Sequence, residues 1–399
     1  MLTAKKTRKT ETPSNLQTMK QANLSLLFGL VHKHGSVSRA ELANITGLSP
    51  TTVSSLVDEM LDKELLLQTG AGTSETSGRK PIMLEVNPQG GYVAGIELAN
   101  GGFNLELFDF LGNPVFFQSV PVGDYSAIGD TIVQNMDRFL SDLRIRTEKL
   151  AGLCIGVPGI IDASAGRVIQ STVIPIDPDN DFFDRLQDRF AASSVVMGNE
   201  SHFCAYFEKS RMGDDVKSLI FIDIDIGIGA GIILDNRIFE GAFGNSGEFG
   251  HISIDMNGPV CKCGKRGCLE TLASAPVIVR QASEAAGREL SFDELAEMFR
   301  RRDGVILTVL EDAANKLAYG INNVINMLNP EAVIIGGRVT ALGEGFLELV
   351  RARLAGISLA PGVNPVIMKY SGAAGNLVTK GCAQFMLDRI FFGDEFFAV

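Results

Sequence analysis

The sequence predicts an α/β protein in two unequal parts: a small helical segment closed by a hairpin, then a large body of two related α/β lobes. Three observations carry that prediction. Between Leu16 and Lys63 apolar residues recur at helical spacing, with capping residues where each helix should start. Two short apolar strands then flank the polar run at 70–80. From Tyr92 onward, an order of three strands, a helix and one more strand occurs twice, which describes two lobes facing each other across a cleft.

At 399 residues the chain can hold two or three domains with separate cores. Its 45% hydrophobic content is that of an ordinary globular protein. No apolar run reaches the roughly 18 residues of a membrane span, and the start of the chain lacks an apolar centre, so neither a span nor a secretory leader is predicted. No membrane partner and a cytoplasmic location are expected. The net charge of −11 is uneven: residues 1–88 hold ten Lys and Arg against eight Asp and Glu, and the remainder holds 26 against 39. A basic end on an acidic body confines any nucleic-acid contact to the first segment.

Taken in order, residues 1–15 are a basic tail (Lys5, Lys6, Arg8, Lys9) expected to lack fixed structure. A first helix runs from Leu16 to His34, with Leu24, Leu27, Phe28 and Val31 on one face. Ser38 caps a second, R-A-E-L-A-N-I-T, which Gly47 stops. Ser49 caps a third, and Pro50 stands at its first position, where a missing N–H costs nothing. Two helices joined by T-G-L-S read as helix-turn-helix, with Val53, Leu56, Val57 and Met60 facing inward. Short donors at the third helix's start suit base edges and phosphates, so Ser38, Arg39, Ser49, Thr51, Thr52, Ser54 and Ser55 are the candidate DNA contacts. The strands L-L-L-Q-T-G and P-I-M-L-E-V-N form a wing with Arg79 and Lys80 at its base, making 16–88 a winged helix-turn-helix. A helical protein-interaction domain with a hairpin is the alternative.

The first lobe is assigned to 89–198: strands at 92–98, 103–110 and 114–121, a helix from Ile128 to Ile145, and the strand L-A-G-L-C-I-G-V-P-G. The second, 199–399, repeats the order after Lys217, with helices from about Ser291 to Asn329 and the strand A-V-I-I-G-G. Its last helix is expected to pack back on the first lobe.

One stretch, Gly247 to Glu270, gathers three of the six cysteines, one of four histidines and three acidic residues. Cys261, Cys263 and Cys268 form C-x-C-x4-C, and Gly264 and Gly267 give the backbone freedom for closely spaced thiolates to converge. With His251 they make a Cys3His tetrahedron suited to structural Zn2+, since protein fills all four positions. Free thiols or a disulfide are the alternatives, but three cysteines cannot all pair within the motif, and free cysteines are usually buried, whereas these sit among Lys262, Lys265 and Arg266.

The wing, G-x-P-G at Gly156–Gly159, G-N-E at 198–200, I-G-I-G-A-G at 226–231, E-x-G-H with C-x-C-G-x-x-G-C-x-E, and V-I-I-G-G at 333–337 together resemble the ROK family of repressors and sugar kinases, specifically its transcriptional branch. The resemblance implies a winged helix-turn-helix joined to a two-lobed actin/hexokinase-like (ribonuclease H-like) domain. It also implies sugar-binding roles for Asn199, Glu200, Glu248, His251 and Glu270, with zinc on one imidazole nitrogen fixing the other as a donor. Two departures argue against catalysis. Family kinases carry Asp as general base where this chain has Glu200, and a displacement on the order of 1 Å can cost about 100-fold in rate. Their D-x-G-G-T phosphate loop is replaced by E-L-A-N-G-G at 97–102, with Ala99 and Asn100 where close approach needs glycine.

The expected function is therefore a sugar-responsive repressor of carbohydrate-utilisation genes, without enzyme activity. It should act as a homodimer or homotetramer on palindromic operator DNA, with a monosaccharide or sugar phosphate as effector. The alternatives are an ATP-dependent sugar kinase with a regulatory role, and a repressor controlled by a protein partner with a vestigial sugar site.

Overall fold

The computed structural model describes residues 15–71, 81–163, 165–213, 215–359, 366–373 and 375–393. The first part comprises α1 (Asn15–His34), β1 (Val37–Ser38), α2 (Arg39–Thr46), α3 (Pro50–Asp62), β2 (Leu66–Ala71) and β3 (Ile82–Val86). Caps set its helix starts. Ser38 and Glu41 form a reciprocal capping box on α2, Gly47 ends that helix in the left-handed region at φ 69°, and the Ser49 hydroxyl accepts from Thr52 N–H at 3.1 Å to start α3. Leu24, Leu27, Phe28, Val31, Val53, Leu56, Val57 and Met60 are buried together, and a small antiparallel sheet in the order β1-β3-β2 closes the unit.

The first lobe follows: β4 (Tyr92–Ala99), β5 (Gly102–Asp109), β6 (Pro114–Pro121), α4 (Ile128–Asp142), β7 (Leu150–Val157), the hairpin β8 (Ile160–Asp162) and β9 (Arg167–Gln170), α5 (Phe182–Arg189) and β10 (Ser194–Asn199). Its sheet has the order β10-β7-β4-β5-β6, with β7 parallel to β4 and β10 parallel to β7. After α6 (Glu200–Ser210) come β11 (Leu219–Ile224), β12 (Ile228–Leu234), β13 (Arg237–Ile238), α7 (Glu270–Ala273), α8 (Ala275–Ala286), α9 (Phe292–Arg300), α10 (Gly304–Leu328), β14 (Ala332–Gly336), α11 (Glu344–Ile357), β15 (Ile367–Tyr370) and α12 (Leu377–Phe392). The second sheet, β13-β12-β11-β14-β15, repeats the first, antiparallel on one side of its central strand and parallel on the other.

The long apolar helix α12 joins the parts. It crosses the first sheet so closely that a Cβ on Gly95 would lie 2.2 Å from the Thr379 carbonyl oxygen, and one on Gly152 would lie 2.3 Å from Met386 Cγ. At its far end Phe391 packs on Phe28 (4.7 Å between ring centroids) and stacks on His32 (3.9 Å) of α1. A single apolar cluster consequently runs from the helical segment through α12 into both sheets. Among the described residues no helix is long and apolar enough to cross a membrane.

The structure differs from the sequence reading in three places. The helix starting at Ile128 ends at Asp142, because Arg144 turns the chain at φ 57°. The helical stretch from Ser291 to Asn329 is two helices, broken where Arg302 adopts φ 60° and Asp303 caps α10. Each sheet also carries a fifth strand, β10 or β15, that the repeat counted in the sequence did not include.

Candidate functional site

β4, β7 and β10 run parallel, so their C-terminal ends share one edge of the first sheet, and Asp223 near the end of β11 lies close enough to act on Glu200 there. Asn199 closes β10 and caps α6, its side-chain oxygen accepting from Ser201 N–H at 2.8 Å. Its amide nitrogen donates to the Gly159 carbonyl at 2.9 Å, which ties the G-x-P-G turn to α6. Gly159 has φ 130°, and a Cβ there would lie 2.4 Å from the Gln170 carbonyl oxygen, so the turn requires glycine.

Glu200, the first residue of α6, sits on an acidic floor. Burial, and then the facing charges of Asp223, Glu97 and Asp225, hold its carboxyl well above the usual carboxylate range. Burial, with Asp225 and Glu97 adding to it, likewise pushes Asp223 up to about 7. The counter-charge seen here is Arg338, whose Nε lies 3.3 Å from Asp225 Oδ1. Glu97 accepts from Asn104 at 2.7 Å and from Asn376, which caps α12. Pattern reading missed Asp223, Asp225 and Asn376, although the D-I-D preceding the second glycine loop was a visible signal.

A second acidic cluster belongs to the stretch singled out above. Glu248 and His251 bracket a single turn, 249–251, with Glu248 Oε2 3.8 Å from His251 Nε2. Burial raises the Glu248 carboxyl, and Glu270 reinforces the shift. Glu270 opens α7 and accepts from Ile228 N–H at 3.2 Å. A Cβ on Gly227 would lie 2.8 Å from that carboxylate, which gives this glycine a packing reason independent of phosphate. The sugar candidates thus form two groups, Asn199 with Glu200 at the start of α6, and Glu248 and His251 with Glu270, and both groups reach the β11–β12 turn, Glu200 through the charge of Asp225 and Glu270 through Ile228 N–H.

The other imidazole nitrogen of His251, Nδ1, lies 3.6 Å from Cys261 Sγ, and the Cys263 and Cys268 sulfurs lie 3.6 Å apart. One ligand atom from each of His251, Cys261, Cys263 and Cys268 lies within 4.8 Å of all the others, so the four could hold a metal ion. The loop is built for that convergence: Gly267, at φ 63°, passes so close to Asp255 that a Cβ would lie 1.6 Å from its carbonyl oxygen.

The turn between β4 and β5 is braced by Tyr125, whose hydroxyl donates to the Ala99 carbonyl and accepts from Gly102 N–H at 2.9 Å. No spacing in the sequence pointed to this residue.

On the N-terminal segment, Ser49, Thr51 and Ser55 are exposed and Thr52 and Ser54 half-exposed on α3. Ser38 has a structural task instead, being buried with its hydroxyl accepting from Glu41 N–H. Arg39 ties α2 to α3, donating to the Ser54 carbonyl at 3.2 Å and to Asp58 at 2.7 Å. Arg79 and Lys80 lie outside the described residues.

The ROK family profile matches residues 94–384, most of the two lobes. The chain belongs to the ROK family. Among curated relatives, the xylose repressor of Caldicellulosiruptor bescii (strain ATCC BAA-1888 / DSM 6725 / KCTC 15123 / Z-1320) is 30% identical over 400 residues, covering 94% of this chain and 97% of that protein. That match takes in the helical segment as well as the lobes. Among solved structures, a ROK family transcriptional regulator, a homologue of the Escherichia coli MLC protein, superposes with a TM-score of 0.82 at 23% identity, covering 96% of this chain and 98% of that one. A ROK glucokinase of Streptomyces griseus superposes at 0.62 and 23% identity, covering 74% of this chain and 99% of the enzyme. This ROK protein therefore has the fold of a regulator over nearly its whole length and that of a kinase over its lobes.

Proposed function

We propose that this protein is a sugar-responsive transcriptional repressor of carbohydrate-utilisation genes. The observation that carries the reading is the end-to-end similarity to a xylose repressor, which spans both the helical segment and the cleft. The candidate polar groups suit a neutral saccharide: the side-chain oxygens of Glu200, Glu248 and Glu270 accept from hydroxyls, and His251 Nε2, with Nδ1 on the metal, offers a donor. A winged helix-turn-helix dimer contacts half-sites about 34 Å apart, so the working unit is a homodimer or homotetramer on a palindromic operator. Sugar binding closes the cleft and moves the winged domains through α12. A full swing from bound to free requires about 5 kcal/mol of preference for one state.

Zn2+ is the metal proposed for His251, Cys261, Cys263 and Cys268, because three thiolates and an imidazole are its preferred tetrahedral set. With all four positions taken by protein, its role is structural. It would hold His251 by Nδ1 so that Nε2 remains available to the cleft. Elemental analysis of native protein tests this, and less than one zinc per chain after purification without chelator refutes it.

The same cleft is poorly suited to phosphoryl transfer. The β4–β5 turn carries Ala99 and Asn100 where the kinase loop has a close-approach glycine, and Glu200 stands where family kinases carry the Asp general base. Incubation with ATP, magnesium and a panel of pentoses and hexoses should give no turnover. Phosphorylation at ordinary enzymatic rates would favour the kinase reading. The repressor reading itself is tested by fluorescence anisotropy on palindromic DNA from the neighbourhood of its own gene, with and without sugar.

A further inference from the structure

The first sheet grips α12 at its start. Asn376 caps the helix, its side-chain oxygen accepting from Val378 N–H at 3.0 Å and from Thr379 N–H at 3.3 Å. The amide nitrogen of the same side chain donates to Glu97 Oε2 on β4, which also accepts from Asn104 at 2.7 Å. Close by, the buried Thr379 hydroxyl donates to the buried Glu106 carboxylate on β5 at 2.6 Å. The first turn of α12 is therefore bonded to two neighbouring strands, to β4 through Asn376 and to β5 through Thr379.

The same turn meets the start of α6. Gly156 of β7 stands opposite Glu97 in register, and a Cβ there would lie 2.5 Å from Val378 Cγ1 of α12 and 3.5 Å from Glu200 Cα. A single glycine thus separates the first turn of α12 from a sugar candidate, and the charge of Glu97 adds to what holds the Glu200 carboxyl up. At the far end of the helix, a Cβ on Gly29 of α1 would lie 2.4 Å from the Phe391 carbonyl oxygen, so α1 and α12 meet backbone to backbone. Lys20 of α1 in turn pairs with Glu59 of α3 at 2.7 Å. The 16 residues of α12 span about 24 Å, and a helix seated this closely at both ends passes a shift at Asn376 to the helix-turn-helix as a rod.

We infer that the hydrogen bond between Glu97 and Asn376 is the joint through which occupancy of the sugar candidates changes DNA affinity. The inference rests on the saccharide-sensor reading above and adds its route of transmission. It gives the E-L-A-N-G-G sequence a task of its own, since the carboxylate that opens it grips the helix that reaches α1. Asn376 is then a positioning residue with two separable duties, capping and coupling. Asn376→Asp keeps the first, because a carboxylate accepts the same backbone N–H groups, and ends the second by setting two carboxylates face to face. Adding Glu97→Gln exchanges amide and carboxylate across the joint, so that a donor again faces an acceptor.

Fluorescence anisotropy on operator DNA, without sugar and with saturating xylose, arabinose, glucose or galactose, gives the coupling as the ratio of two DNA dissociation constants. Such couplings are typically about 5–150-fold. For a sugar that acts on the native protein, Asn376→Asp should bring the ratio below about twofold, and the exchange variant should return it to within about threefold of the native value. Asn376→Ser caps without added charge and is too short to reach Glu97; it should uncouple in the same way, and it serves if repulsion unfolds the first variant. A cap with no part in coupling predicts the opposite, since both single variants keep a capping residue and would keep the native ratio. That result, or a loss that Glu97→Gln does not repair, overturns the inference and leaves the sensor reading intact. Native DNA binding indifferent to all four sugars would remove the sensor reading and the inference together.

Discussion

Replacing Asp223 with Asn probes the acidic floor of the cleft directly. Burial, with Asp225 and Glu97 facing it, moves this carboxyl from 3.8 to about 7. A folded-state value above the unfolded one means that the folded chain holds the proton more tightly between those pH values. Stability therefore falls as pH rises from about 4 to 7, and the penalty is complete above about 7. At about 1.4 kcal/mol per pH unit the charge costs on the order of 4 kcal/mol at pH 8, an upper bound because the site can relax and admit water. Asp223→Asn keeps the shape and removes the charge. It should raise the melting temperature by several degrees at pH 8 and by almost nothing near pH 4. Thermal melts of variant and native protein across that range supply the comparison. Parallel curves, with no growing advantage for the variant toward alkaline pH, would refute the electrostatic account of the floor.

Three other perturbations follow from the structure. Cys268→Ser removes one of the four proposed zinc ligands at a fully buried position, so zinc should be lost along with much of the roughly 10 kcal/mol or more that a structural zinc contributes, read by elemental analysis and a lower melting temperature. Ser49→Ala deletes the α3 cap and should cost about 1 kcal/mol in denaturant unfolding, while weakening DNA binding through a frayed helix start. Phe391→Ala empties the space between Phe28 and His32, should cost about 3–5 kcal/mol, and should make the connection after the winged segment more sensitive to limited proteolysis.

Local patterning made the N-terminal segment legible. The caps at Ser38 and Ser49, the stop at Gly47 and the inward face of α3 stand where the sequence put them, because capping and helical periodicity are short-range effects. The convergence of His251, Cys261, Cys263 and Cys268 was legible for the same reason, since the four lie within 18 residues of one another, from His251 to Cys268. What resisted reading is long-range. Tyr125 hydrogen-bonds to a turn 23 residues away, and Asn376 meets Glu97 across 279 residues, and neither spacing carries a periodic signal. The breaks after Asp142 and near Arg302 depend on left-handed arginines, residues with no marked preference for that conformation. Ser38 looked available to DNA because its residue type suits a phosphate; its burial only becomes visible once β1 pairs with β3.

The measurement closest to the central claim is anisotropy of the protein on an operator selected from the DNA around its own gene, titrated with xylose and a panel of other monosaccharides at two salt concentrations. The account predicts sequence-specific binding that weakens steeply with salt, as phosphate contacts release counterions, and that falls further when a saccharide is added. Tight specific binding indifferent to every sugar, or no specific binding at all, would contradict it.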